Sequence, residues 1–353
     1  MKKFTLFVCT AILASGGCMP SATGQYLSTA KEKILRVAFY NVENLFDTED
    51  DPLTRDEEFT PEVPKEWTPV RYQAKLDHLA RVTAGMQFPA LLGLAEVENR
   101  RVCEDFIKKT SLKPNHYKIV HFDSPDARGI DVALLYQKKY FKVLEASSIR
   151  INFPEELISD RPGYSTRDIL VVKGILFKRD TVNVFIAHFP SRSGGQKASE
   201  PKRIFVAQQL RKSVDKIFAK NPEANIVLMG DLNDEPTDSS VRDFLQAQPM
   251  KDMPGPAMLY DCMSALDDSG KGSYNYRGDW NMIDHVILSG NLFGGSRLQY
   301  IDSGIFRADW MMYTDPKYGQ RPSRTYGGDR YFGGYSDHLP VFVDLKVVKK
   351  GKR

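Results

Sequence analysis

Cysteine is scarce in this chain of 353 residues: it occurs at positions 9, 18, 103 and 262 only. The first two fall in an apolar leader, which leaves Cys103 and Cys262 for the mature protein. Two cysteines so far apart make no disulfide framework, and no pair has the spacing of metal ligands, so the fold must rest on its hydrophobic core. A strong charge of one sign is also missing. Lys plus Arg number 49 against 45 Asp plus Glu, a net charge of +4 that by itself does not announce a nucleic-acid binder. The longest apolar run, residues 4–14, is too short for a comfortable transmembrane span. Repeats, low-complexity tracts and breaks in composition are absent, which favours one mixed α/β domain over residues 30–348.

What is present begins with the leader. Lys2 and Lys3 precede the apolar run, and Ser15, Gly16 and Gly17 precede Cys18, so residues 1–24 read as an export signal. Small residues ahead of a cysteine resemble a bacterial lipoprotein signal, in which Cys18 would be lipidated and anchor the chain to a membrane. Ser15 stands where such signals usually carry Leu, and simple cleavage near Gln25 is the other reading. The expected destination is outside the bacterial cytoplasm: periplasmic, attached to the outer membrane, or secreted. The basic tail 349–353 reads as disordered.

Periodicity then gives the elements. Strands are expected at 34–40, 90–95, 118–122, 132–136, 141–151, 226–229, 283–288 and 341–347, with a hairpin at 169–177 and 182–187 turned by residues 178–180. Helices are expected at 70–86, 100–109, 200–219 and, briefly, 241–245. Residues 47–69 read as a surface loop, and the Gly-, Tyr- and Met-rich stretch 250–335 as long loops over a site.

The informative pattern is where the apolar runs stop. Ile226-Val227-Leu228-Met229-Gly230 ends at Asp231, with Asn233 two residues on, on the same face if the strand continues. Asn41 follows Val-Ala-Phe-Tyr, Glu96 follows Leu-Leu-Gly-Leu-Ala, and His188 follows Val-Phe-Ile-Ala. Asp284-His285 interrupts a strand, and Ser336-Asp337-His338 precedes another. One polar residue at a strand end is ordinarily a cap or a turn; six such ends can converge into an acidic cleft with two imidazoles. Glu96 and Asp337 are hard oxygen ligands suited to Mg²⁺ or Mn²⁺, while zinc lacks a His-x-x-x-His or Cys pair. Asp231 can take a proton from water oriented by Asn233, and His188 and His338 can steady charge on phosphate oxygens. The chemistry is metal-assisted hydrolysis of a phosphate ester.

The ordered motifs Asn41-Val42-Glu43-Asn44, Leu94-Ala95-Glu96-Val97, His188-Phe189, Gly230-Asp231-Leu232-Asn233, Ile283-Asp284-His285 and Ser336-Asp337-His338 resemble those of the endonuclease/exonuclease/phosphatase superfamily, over about residues 34–347. The resemblance implies a four-layered α/β sandwich: two mainly antiparallel sheets packed face to face, with helices outside. It implies a metal site at Glu96, with Asn41 beside it and Asp337 near it, and water activation by Asp231 and Asn233. His338 would contact the scissile phosphate with Asp284 as its carboxylate partner, and His188 would be a second histidine there. Arg167 resembles a phosphate-touching arginine of deoxyribonuclease I, and Arg192, near His188, is placed to meet a phosphate. One departure stands out: no glutamate is evident to partner His188, and Asp131 is the candidate substitute beside a plain strand-start role.

The opening Phe39-Tyr40-Asn41-Val42-Glu43-Asn44-Leu45-Phe46-Asp47 looks most like secreted bacterial nucleases of that superfamily, which points to nucleic acid as substrate. A lipid phosphodiesterase, a phosphatase of a small molecule, and an inactive binding module on the same fold are the alternatives; no protein partner is implied. The remaining polar residues have plainer readings. Glu43 and Glu98 cap turns or face solvent, Asp234 and Glu235 shape a turn, and His285 packs beneath the Asp284 loop. His78 and His116 lie on the surface, and Lys202, Arg203, Arg211 and Lys212 form the solvated face of a helix. Tyr274, Tyr276 and Trp280 either stack on a base or pack their own loop.

Overall fold

The computed structural model describes residues 33–178, 180–250 and 255–348. The leader, Cys18, the tail 349–353 and the middle of the 178–180 turn lie outside the described residues.

Two mixed sheets carry the architecture. The first has six strands in the order Leu298–Ile305, Val341–Val347, Lys33–Leu45, Leu91–Val97, Asp131–Gln137, Tyr117–His121. The second has seven, in the order Phe141–Ile149, Ile169–Leu176, Asp180–His188, Asn225–Asp231, Asp284–Ser289, Leu259–Asp261, Ala247–Pro249. Most pairings are antiparallel. The parallel exceptions are 33–45 with 91–97 and 180–188 with 225–231, which flank the site, and the short edge pair 259–261 with 247–249.

Alternation sorts the side chains into layers. Val37, Phe39, Leu91 and Leu134 of the first sheet meet Val172, Val184, Val227 and Val286 of the second in a core between the sheets. The intervening residues Ala38, Tyr40, Leu92 and Ala133 face the opposite way, against helices α1 (Pro69–Gly85) and α2 (Arg100–Lys108). On the far side, Phe185, Ile226, Leu228 and Ile287 meet Val206, Leu210, Val214 and Phe218 of helix α3 (Gln196–Lys220). The order helix, sheet, sheet, helix is the four-layered α/β sandwich. Local chemistry sets the helix starts: Thr68 accepts from Arg71 N ahead of Pro69, and Asn99 accepts from Val102 N.

Three stretches depart from the sequence reading. Residues 298–305 form an edge strand of the first sheet rather than loop; their half-exposed pattern carries no apolar alternation to mark them. The 250–335 region also holds hairpins Tyr274–Tyr276 with Asp279–Asn281 and Met312–Asp315 with Gly319–Pro322. The 47–69 loop is anchored by Trp67, which is fully buried and donates Nε1–H to Phe46 O at 3.1 Å.

Parallel pairing has a direct consequence for the site. Both α1 and α3 return the chain so that strand carboxyl ends lie side by side: Asn41 is level with Ala95, and His188 is level with Asp231. Asp284 pairs with Asp231 from the other side. His188, Asp231 and Asp284 thus form one row across three strands. Gly230 makes the row possible, because a Cβ there would stand 2.2 Å from Ala187 O. Gly230→Ala is therefore expected to lower unfolding free energy by about 2–3 kcal/mol, read from guanidinium midpoints; an unchanged midpoint would show that the two strands part without penalty.

Candidate active site

The two sheets meet at Asn41 and Asp231. Asn41 Nδ2–H donates to Asp231 Oδ2 at 3.0 Å and, more distantly, to Glu96 Oε1 at 3.4 Å. The Glu96 side chain is held from its other oxygen by Asn44 N at 2.9 Å and keeps partial exposure to the cleft. Glu96 and Asn233 both adopt left-handed backbone, with φ of 63° and 52°. Such conformations persist only where surroundings enforce them, and here they sit at the two strand ends that face each other.

Asp231 Oδ1 accepts from Asn233 N at 2.9 Å, and Asn233 Nδ2–H donates to Phe189 O at 3.1 Å, which leaves the amide oxygen available to water. His338 lies on the same side. Its Nδ1 is 2.7 Å from Asp284 Oδ2, which also accepts from Ser273 Oγ at 2.5 Å, and its Nε2 stands 3.9 Å from Asp231 Oδ2. Ser336 ties this segment back to the first sheet: its Oγ donates to Asn41 O at 2.7 Å and accepts from His338 N at 3.0 Å. The Tyr274 ring packs against the His338 imidazole at 4.9 Å.

Charge divides the two imidazoles. Burial opposes protonation of both. At His338 the carboxylates of Asp284, Asp231 and Asp337 outweigh it and hold the imidazole well above its ordinary value, so it is a cation. At His188 burial, followed by Arg167 and Arg128, pushes the value well below the ordinary one. His188 Nε2, 3.5 Å from Asp231 Oδ2, is therefore a neutral neighbour rather than one half of an ion pair. Burial, with Asp284 beside it, raises Asp231 to about 7, against the lowering effects of His338, Asn41 and Asn233.

The cleft has a volume of about 680 Å³ and is lined by Glu96, His188, Asp231, Asn233, Asp337 and His338, together with Arg192 and Tyr276. Arg192 is tied down: Nε donates to Asn233 O at 2.7 Å, Nη1 to Asn281 Oδ1 at 3.1 Å and Nη2 to Asp238 Oδ2 at 3.2 Å. In this structure it braces the Asn233 turn, with each of its three nitrogens engaged. Arg167 is buried behind the cleft, with Nη1 on Asp126 and Nη2 on Phe189 O, and it lines the adjoining pocket instead. Asp131 does not partner His188. It binds His121 at 3.0 Å and Ser124 N at 2.9 Å, while His188 Nδ1 is buried without a partner.

Acidic and histidine groups that can hold a metal ion are present. Asp231, Asp284 and His338 lie close enough to share one, but His338 Nδ1 and Asp284 Oδ2 are engaged with each other at 2.7 Å. Glu96 and Asp337 are the better donors: both are partly exposed to the cleft. Asp337 lies 3.4 Å from Arg324 Nη2. Such an oxygen set suits a hard, partly hydrated cation.

Several polar residues lie elsewhere than their plain readings put them. Glu43 is buried, not solvated; it accepts from Thr325 N at 2.6 Å beside buried Lys75, and burial, with Asp337 nearby, raises it to about 7. Glu98 is also buried; it serves a turn by accepting from Asp47 N at 2.6 Å. Arg203 is fully buried and pairs with Asp234 at 2.6 Å, where a solvated helix face was expected. His78 is half-buried on Tyr335. His285, next to Asp284 on the same strand, is buried and bound to Asp261 at 2.7 Å and to Asp234 O at 2.8 Å. Ser273, which steadies Asp284, had no signal in the sequence beyond its place in the Gly-rich stretch.

Fold and site together define a phosphoester hydrolase of the two-sheet sandwich class. The chain belongs to the endonuclease/exonuclease/phosphatase family, whose model matches residues 36–347. Among solved structures it is similar to an endonuclease/exonuclease/phosphatase family protein from Bacteroides thetaiotaomicron, with 15% identity, TM-score 0.54 and coverage of 90% of this chain and 99% of that one. A mannosyl-6-phosphatase from the same organism matches at 16% identity and TM-score 0.53, covering 88% and 99%. A D. rerio TDP2 in complex with a single-strand DNA product matches at 15% and 0.52, covering 88% and 98%. Among curated proteins there is no significant sequence match.

The buried His285–Asp261 pair generates a stability prediction. Burial opposes its charge, but Asp261, the Asp234 carbonyl and Asp284 raise His285 from 6.5 to about 9. The folded value exceeds the unfolded one, so the stabilisation is complete below about pH 6.5 and is lost as pH rises through about 9. Relative to His285→Asn, the native chain should lose on the order of 2–3 kcal/mol across that window. Denaturation midpoints from pH 6 to 10 measure it; a constant gap between the two proteins would refute the charged pair.

Proposed function

We propose that this protein is an exported, Mg²⁺- or Mn²⁺-dependent phosphodiesterase whose substrate is nucleic acid. The observation that carries the reading is the meeting of a base and an acid at one cleft: Asp231, poised near neutrality, 3.9 Å from the cationic His338 held by Asp284. A general base works best with a value near the operating pH, and a buried imidazolium stabilises charge that develops on a phosphoryl oxygen.

Asp231 accepts a proton from a water that the Asn233 amide orients for in-line attack. His338 donates from Nε2 to a phosphate oxygen, its Nδ1 side fixed by Asp284. His188, kept neutral, adds a hydrogen bond to the phosphate without competing for the charge of Asp231. Glu96, with Asn41 and Asp337 around it, would hold the divalent cation, which when bound polarises the phosphoryl group and neutralises charge.

Nucleic acid is favoured over a small phosphomonoester by Tyr276, which is 53% exposed at the cleft and offers an aromatic face for a base. The likeness to a TDP2 with bound single-strand DNA product supports the same choice, and the likeness to a mannosyl-6-phosphatase supports the second reading, a sugar-phosphate phosphatase.

The full chain is to be assayed with Mg²⁺ or Mn²⁺ against DNA, RNA, sphingomyelin and small phosphomonoesters. Cleavage of polynucleotide is expected, reduced roughly 10²–10⁴-fold in Asp231→Ala and in His338→Ala. Phosphate released from small esters while polynucleotide stays intact would overturn the substrate. Binding without turnover of any of them would overturn the enzyme in favour of a binding module. For export, Cys18→Ser should move the chain expressed in a bacterium from the membrane fraction to a soluble exported one; unchanged fractionation would refute lipidation at Cys18.

A further inference from the structure

Beside the catalytic cleft lies a second pocket of about 690 Å³. Arg128, Ser191 and Gly194 line both, so the two are one continuous surface. The second pocket's charged lining is Arg55, Arg128, Arg161, Arg167 and Lys202 against Asp126 and Asp160. Its two carboxylates are already engaged. Asp126 meets Arg167 at 3.1 Å and Arg128 at 3.6 Å, and Asp160 meets Lys202 at 3.2 Å.

Arg55 and Arg161 are left over. Both are exposed, and among the described residues neither has a carboxylate within ion-pair distance. Arg161 lies 5.3 Å over the Tyr164 ring, and Lys202 lies 4.9 Å over the same ring, so the wall is both cationic and aromatic. Arg167, more than nine-tenths buried, also lines this pocket, and its buried Nε has no hydrogen-bond partner. Helix α3 starts at the junction of the two pockets with no side chain capping its first turn, which adds partial positive charge there.

We infer that this pocket is a subsite for a further phosphate of the strand being cleaved. A polynucleotide then spans both pockets, one phosphodiester at Asp231 and His338 and a neighbouring one between Arg55 and Arg161. The inference rests on the hydrolase reading above and deepens it. It makes the preferred substrate a chain of phosphates, because an ester with a single phosphate fills the cleft alone and gains nothing from the second pocket.

The test uses the double variant Arg55→Gln/Arg161→Gln. A fluorescent ten-residue oligothymidylate is titrated onto Asp231→Ala chains with and without the two substitutions, at several salt concentrations and with Mg²⁺ present. Removal of two phosphate contacts should weaken binding about tenfold and reduce the slope of log affinity against log salt by roughly 1 to 1.5. With Asp231 intact, the double variant should show a raised KM on the oligonucleotide. Its kcat/KM there should fall about tenfold more than on bis(4-nitrophenyl) phosphate. Unchanged affinity and salt slope would overturn the subsite, as would an equal fall on both substrates, which would place the effect in the cleft. If the unsubstituted chain hydrolyses neither substrate with metal, the hydrolase reading itself fails and takes the subsite with it.

Discussion

The hydrogen bond from Asn41 to Asp231 is the contact on which the site depends. It joins two strands from different sheets, across a core packed so closely that a Cβ on Gly93 would stand 2.6 Å from Met229 Sδ. Both partners are almost wholly buried. A buried carboxylate without donors is costly, so Asn41 and Asn233 N hold Asp231 in place as well as holding its charge. The same Asn41 side-chain amide reaches Glu96, and the Asn41 backbone carbonyl accepts from Ser336 Oγ, so Glu96, Asp231 and the His338 segment share one residue as reference point. Sheet packing thereby fixes distances that a loop-built site would leave loose.

Around that contact the protein separates charges that sequence alone would treat as equal. Two histidines stand within reach of one carboxylate, yet one is a cation and the other neutral. Three carboxylates surround His338, whereas guanidinium groups and burial surround His188. His188 Nδ1 is buried without a partner, and Asp131, the carboxylate that the sequence offered for it, binds His121 instead. An acid, a base and a neutral hydrogen-bonding group in one cleft are what hydrolysis of a phosphate ester uses.

The sandwich and the members of this cluster were legible because each is a local event: an apolar run, its end, and a polar residue there. Strands 225–231 and 284–289 are buried throughout, so their composition marks them without any alternation. The strand at 298–305 was not legible, since an edge strand half in water has no distinctive pattern. Long-range polar pairing was equally invisible. Arg203 on the helix and Glu43 in the first strand read as solvent or turn residues, and Asp131 as a strand start or a partner for His188; their partners are Asp234, Thr325 with Lys75, and His121. Arg192 and Arg167 show the converse: nearness to His188 for the first and a family resemblance for the second indicated a phosphate, while tertiary contacts engage the first at all three nitrogens and bury the second against Asp126 and Phe189 O.

The central claim is that Glu96 brings a divalent cation to the base and acid gathered by Asn41. The most direct measurement is the rate of hydrolysis of single-stranded DNA as a function of free Mg²⁺, from chelator to saturation, for the native chain and for Glu96→Gln. The account predicts no hydrolysis in chelator, recovery with Mg²⁺, and a half-saturating concentration raised at least tenfold by the substitution. Hydrolysis that persists in chelator, or a Glu96→Gln curve that overlays the native one, would contradict it.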